Sequence, residues 1–239
     1  MNPPKGILRT GNAELDRVTG GIPVPSLNLI EGENDSGKSV IVQHLAWGGL
    51  IEGFTVRYIT TETTVKSLIM QMKSLSLDIL PYFIKGQFKV TALHVKNISW
   101  DERIAKYYLL AILHFIKHKG FADVIIIDSL TYIATHANTN DLLLFLSELR
   151  NIVDSRNIIA AITIHPYAFS SDLLVRIRSI CDGHMLLSIK VLPNKEVVRA
   201  LEVAKLKGAR KTTDNIVFFK VDPAFGIKVI PVSQVKASR

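Results

Sequence analysis

The eight residues Gly32-Glu33-Asn34-Asp35-Ser36-Gly37-Lys38-Ser39 fit the pattern G-x-x-x-x-G-K-[ST] at every fixed position. No other stretch restricts the fold as tightly. The pattern needs a strand before it and a helix after it, because that junction aims successive backbone N–H groups at phosphate oxygens. Both flanks comply: Leu27 to Ile30 reads as a strand, and an apolar helix opens near Lys38. Glycines at 32 and 37 let the backbone turn tightly and approach the phosphates closely. Asn34, Asp35, Ser36, Gly37 and the helix start at Val40 are therefore expected around the phosphates. Lys38 is expected to reach the β- and γ-phosphates, and the Ser39 hydroxyl to ligate Mg2+. ATP or a close relative, with magnesium, is the implied ligand class. No base-reading motif separates adenine from guanine.

Around this loop, short apolar runs alternate with amphipathic ones. Strands are expected at residues 26–31, 55–60, 88–92, 123–128 and 158–164, and helices at 38–51, 64–75, 102–119, 140–154 and 171–180. In the 140–154 segment, Leu142, Phe145, Leu146, Leu149, Ile152 and Val153 recur at steps of three and four, with Asn140 or Asp141 placed to cap the start. The runs Val124-Ile125-Ile126-Ile127 and Ile158 to Ile164 lack polar alternation, as in parallel strands covered on both faces. After Cys181 the pattern changes to strands at 184–191, 197–206, 215–221 and 226–230, joined by short loops, with turn chemistry at Pro193-Asn194-Lys195. The expected fold class is α/β: a mainly parallel sheet flanked by helices and extended by antiparallel strands. Residues 1–239 are expected to form one domain, with flexible first residues and a flexible tail after Pro231.

Two further carboxylates bear on the loop. Asp128 ends an apolar strand 90 residues after Lys38, as expected of an aspartate that orders magnesium through a bound water. Its neighbour is Ser129, where some ATPases carry a catalytic glutamate. The general base must then come from elsewhere. Glu62 closes the strand Val56 to Thr61, one strand–helix unit after the loop, where a carboxylate orients a water behind the γ-phosphate. His165 ends another strand and reads either as a γ-phosphate contact or as a packed histidine.

Composition excludes several classes. Tyr107 to Ile116, the most apolar helix candidate, runs into Lys117 and His118, short of the roughly eighteen apolar residues of a membrane span. Met1-Asn2-Pro3-Pro4-Lys5 has no apolar signal core, so a cytoplasmic protein is expected. The lone Cys181 forms no internal disulfide and reads as a buried small hydrophobe. His114 and His118 have metal-ligand spacing but no third ligand, and Met70 and Met72 read as packing. The net charge of +8 is uneven: residues 186–239 hold 11 Lys and Arg against 4 Asp and Glu. Such a basic segment suits an anionic partner, or serves as a solvated rim.

These features, with the segment Asn12-Ala13-Glu14-Leu15-Asp16-Arg17-Val18-Thr19-Gly20-Gly21-Ile22, resemble the KaiC-like branch of the RecA superfamily. The likeness runs from about Gly11 to Ile230. Within the branch, the short form and this version of the loop resemble the ATP-binding components of archaellum (archaeal flagellum) motors. The resemblance implies a RecA-like core and a ring of subunits, commonly six, with nucleotide at subunit boundaries. It further implies contact with the archaellum motor ATPase and a membrane-anchored scaffold ring. Two departures stand out. Branch members commonly carry paired glutamates where this chain has Glu62 and Thr63, and a K-x-R pair that reaches a neighbour's γ-phosphate where this chain has Lys205-Leu206-Lys207. Lysine keeps the charge but lacks the planar fork that grips two oxygens. Tight nucleotide binding with weak or conditional hydrolysis is expected. A DNA-handling RecA-like ATPase is the rival reading, favoured by the basic segment but lacking dense aromatic–basic interleaving. A kinase would need an acceptor site that the sequence does not display.

Overall fold

The computed structural model describes residues 6–192, 195–208, 216–223 and 225–230. Two short strands, β1 (Ile7–Leu8) and β2 (Ile22–Pro23), pair antiparallel and bracket α1 (Ala13–Thr19). The chain then alternates: β3 (Ser26–Gly32), α2 (Lys38–Ile51), β4 (Val56–Thr60), α3 (Val65–Ser74), α4 (Leu80–Ile84), β5 (Phe88–Ala92), α5 (Glu102–His118) and β6 (Val124–Asp128). It continues through α6 (Thr131–Ala134), α7 (Thr139–Arg156), β7 (Ile159–Ile164) and α8 (Ser171–Ile180). Four strands follow: β8 (Gly183–Val191), β9 (Val197–Leu206), β10 (Ile216–Asp222) and β11 (Gly226–Ile230).

Among the described residues one nine-stranded sheet takes the order β11-β10-β9-β8-β3-β7-β6-β4-β5. From β8 to β5 every pairing is parallel, and β9, β10 and β11 add antiparallel. β3, β6 and β7 are buried along their whole length; the apolar runs of β6 and β7 call for this, whereas β3 buries Ser26, Asn28 and Glu31 as well. Alternate side chains feed two cores. Tyr58, Ile30 and Ile126 face a layer that includes α1, α2 and α3, whereas Ile59, Leu29, Ile125 and Ile127 face α5, α7 and α8.

The expected elements are present with small shifts at their ends. The cap of α7 is a correction: Asn138, not Asn140 or Asp141, accepts the Asp141 N–H, and the helix starts at Thr139. Three Asx residues lie within four positions there, and only the true cap has extended backbone. α1, capped by Asn12 and closed by Gly20 at φ 74°, was not anticipated as a helix, nor were α4 and α6. Cys181 is wholly buried, and burial pushes its thiol up to about 12. The expected turn at Pro193-Asn194, Asn215 as a strand start, and the flexible ends at 1–5 and 231–239 lie outside the described residues. Among the described residues no helix is long and apolar enough to cross a membrane.

Candidate nucleotide site

The loop leaves β3 where the sheet's connections reverse. β7 and β8 flank β3, while the next strand in sequence, β4, lies two places beyond β7. A crevice opens at the carboxyl ends of parallel strands at such a point. Here it is a cavity of about 470 Å³, and it gathers most of the residues singled out from sequence. Asn34, Asp35, Gly37, Lys38, Ser39 and Val40 line it together with Glu62, Asp128, Ser129 and His165. Ser36 is buried behind the loop, its hydroxyl donating to the Glu33 carbonyl at 2.7 Å.

The loop's shape depends on particular residues. Asp35 has φ 58° and Gly37 φ 97°, left-handed conformations that Asp tolerates and Gly adopts freely. A Cβ on Gly32 would lie 2.4 Å from Ser36 Oγ and 2.8 Å from the Leu187 carbonyl, so only glycine fits there. α2 begins at Gly37 with no side-chain cap. Every other helix of seven or more described residues has one, from Asn12, Thr64, Asp101, Asn138 or Ser170. The helix facing the cavity is thus the one whose first amides are left to an outside acceptor.

Lys38 Nζ donates to the carbonyls of Gly32 (2.9 Å) and Glu33 (2.7 Å), so its amine lies across the loop. Burial pulls the Lys38 amine below its usual range, while the carboxylates of Asp128, Glu62, Asp35 and Glu33 pull the other way. Ser39 Oγ lies 3.3 Å from Asp128 Oδ1, joining the two residues expected at magnesium. A hydroxyl and a carboxylate are the hard oxygen donors that Mg2+ selects, and a buried ammonium with an uncapped helix start suits a polyphosphate. The residues fit MgATP.

Glu62 and Ser129 meet directly, Ser129 Oγ donating to Glu62 Oε1 at 2.8 Å. The serine standing where other ATPases place a glutamate therefore engages the candidate base. His165 Nδ1 is 3.1 Å from Thr131 Oγ1; burial and the charge on Lys38 lower its pKa against the pull of Glu62 and Asp128.

Lys205 and Lys207 lie elsewhere. β9 runs antiparallel to β8, so its Lys205 end pairs with His184 and Gly183, away from the loop. Lys205 Nζ donates to the carbonyls of Arg178 (3.1 Å) and Cys181 (2.5 Å) at the end of α8, and Lys207 lies 3.9 Å from Asp182. The opposite end of β9 brings Arg199 into the cavity, where its Nε donates to the Asp35 carbonyl at 2.9 Å. Sequence reading missed Arg199 and Val221, because a lining residue supplied by strand register leaves no local motif. Glu31, just before the loop, is fully buried between Arg178 (2.5 and 2.7 Å) and His184 (3.1 Å). Burial alone would raise its carboxyl; the hydrogen bonds from Arg178 and the His184 ring beside it outweigh that and hold it low. Among described cations of the basic segment, Lys220 pairs with Glu196, so Arg199, Lys205, Lys207 and Lys220 all engage groups of their own chain. His114 and His118 sit side by side on α5, ring centres 4.4 Å apart.

Residues 8–234 match the family described as "ATPase: KaiC". The chain is 38% identical over 231 residues to the archaeal flagellar ATP-binding protein FlaH of Sulfolobus acidocaldarius, covering 97% of this chain and 100% of that one. It is 30% identical to the FlaH of Methanocaldococcus jannaschii over 90% of this chain and 91% of the other. The crystal structure of flagellar accessory protein FlaH from M. jannaschii superposes with a TM-score of 0.82 at 26% identity, covering 95% and 99% of the two chains. A KaiC-like protein of Pyrococcus horikoshii superposes at 0.74 with 21% identity over 94% and 99%, a likeness of fold alone.

Proposed function

Because the chain belongs to the KaiC ATPase family, we propose that it is a ring-forming cytoplasmic component of an archaeal motility motor. In this reading it is a single RecA-like domain that binds MgATP and regulates or scaffolds its partners, with weak or partner-dependent hydrolysis. It would lie at the membrane only through those partners, the motor ATPase and a membrane-anchored scaffold ring. The relatives named archaeal flagellar ATP-binding proteins support the setting. The observation that carries nucleotide binding is the uncapped start of α2, which brings Lys38 and Ser39 into one cavity with Asp128.

In this reading the Lys38 amine exchanges the Gly32 and Glu33 carbonyls for phosphate oxygens. Ser39 would hold magnesium directly and Asp128 through water; the metal supplies charge neutralisation on the phosphates when bound. Glu62 would orient the attacking water. Two features support slow turnover. The Glu62 carboxylate is already engaged by Ser129. Lys205 and Lys207 stand at the far end of β9 from their own loop, so any charge they supply serves a neighbouring copy. Cation supply across such boundaries changes turnover by orders of magnitude.

Lys38→Ala is expected to weaken ATP binding by more than about a hundredfold, since it removes a buried charge-assisted contact. Full-strength binding by that variant would reject the site. Glu62→Gln should keep binding and suppress whatever turnover exists; an unchanged rate removes Glu62 from the mechanism. Turnover is expected to be low for the chain alone and to rise with the motor ATPase, and fast unaided hydrolysis would overturn the regulatory reading.

A further inference from the structure

Asp128 is gripped from both flanks of its own strand. β6 lies between β7 and β4, and each neighbour contributes one hydroxyl. Thr163 of β7 donates to Oδ1 at 2.7 Å, and Tyr58 of β4 donates to Oδ2 at 2.6 Å. Both donors are wholly buried, and Asp128 is 4% exposed. Ser39 approaches Oδ1 at the longer 3.3 Å, from the cavity side.

The residue directly opposite Asp128 on β4 is Thr60, not Tyr58, which pairs with Ile126 two places earlier. The Thr60 hydroxyl is already committed to the amides of Glu62 and Thr63. Two residues of strand span about 6.6 Å, which a phenol bridges and a short hydroxyl side chain does not. A tyrosine at 58 therefore delivers a proton donor to Asp128 from two residues away, along the same face of the strand. A carboxylate oxygen accepts at two lone pairs. One strong buried donor on each oxygen stops the group rotating and leaves its other lone pairs toward Ser39 and the cavity.

Resting on the magnesium role assigned to Asp128 above, we propose that Tyr58 and Thr163 are positioning residues for the metal: they set the orientation in which Asp128 holds magnesium-bound water. A role confined to satisfying a buried carboxylate would cost folding stability when either hydroxyl is removed. It would not change how strongly magnesium and nucleotide reinforce each other.

The test measures ADP binding to the full chain with Mg2+ and again in EDTA, and takes the ratio as the metal coupling. Tyr58→Phe and Thr163→Val should each lower that ratio by about tenfold, the size seen when partners of metal-holding groups are removed. Affinity in EDTA should stay near that of the unaltered chain. Thr163→Ser, which keeps the hydroxyl, should restore the coupling. If Tyr58→Phe does not fold, the Thr163→Val and Thr163→Ser pair decides alone. Unchanged coupling in folded variants overturns the inference while leaving the nucleotide site intact. Equal losses with and without metal overturn it too. An unaltered chain that binds no ADP under either condition instead overturns the nucleotide-site assignment, and this inference with it.

Discussion

β6 and β9 belong to one sheet but live by different rules. β6 is buried at all five residues, with a helical layer on each face. β9 alternates: Val198, Ala200, Leu201 and Val203 are buried, whereas Val197 is 57% exposed and Glu202 and Ala204 face outward. The same holds for β10, where Val217 and Phe219 enter the α2 core while Ile216 is exposed. The parallel half makes the cradle from backbone and strand ends. The antiparallel half leans on α2 and contributes individual side chains, Arg199 above all. A cradle set by topology tolerates little variation; a wall built from separate side chains can be altered piece by piece.

The comparison can be broken most forcefully at Phe219. This ring is fully buried, and a Cβ on Gly37 would come within 3.2 Å of it, so it supports the loop from the antiparallel side. Phe219→Ala should cost about 3–5 kcal/mol in denaturant unfolding. A loss below about 1 kcal/mol would mean that β10 is an appendage and not part of the α2 core.

A second tie joins the halves. His44 of α2 accepts the Ile227 N–H at 3.2 Å, and Asn12 donates to the Ile227 carbonyl at 2.7 Å. Burial pushes His44 down to about 4 from its usual 6.5. The unfolded chain therefore binds the proton more readily than the folded one between those values. Stability is full above pH 6.5 and falls as pH drops toward 4, by up to about 3 kcal/mol. Unfolding followed across pH 4–7 checks this, and His44→Gln should flatten the slope. A slope that persists unchanged assigns the loss to other groups.

Smaller effects sharpen the contrast. Arg199→Ala removes one donor to the loop and should weaken nucleotide binding by about tenfold without disturbing the parallel half, as titration would show. Lys207→Ala should change the free chain's stability by less than about 0.5 kcal/mol, since Lys207 is exposed, its contact with Asp182 is long, and Arg150 already pairs that carboxylate at 2.5 Å. Any larger effect of Lys207→Ala is expected only in assembled protein.

The same division governs what could be read from sequence. The parallel strands were legible because burial on both faces writes an unbroken apolar run, as in Val124 to Ile127. The loop was legible because its chemistry needs adjacent residues. β1 and β2 were not, for each has two residues and exists through a pairing across sixteen positions, Ile7 to Pro23, and fourteen, Leu8 to Ile22. α4 has only five residues, too few to show a period. Arg199 reaches the Asp35 carbonyl only because β8 and β9 pair in one register, with Ile189 opposite it. The meeting of Ser129 with Glu62 likewise depends on β4 lying beside β6, which no local pattern states.

The start of α2 has a consequence for the molecule's upkeep. A helix without its own cap gives up on the order of 1 kcal/mol relative to one with a Ser or Asp there. Phosphate oxygens on those amides return that deficit, and stability then climbs with the logarithm of free nucleotide. How long the polypeptide survives proteolysis would thus register the energy supply around it, even in an interval when no bond is being cleaved.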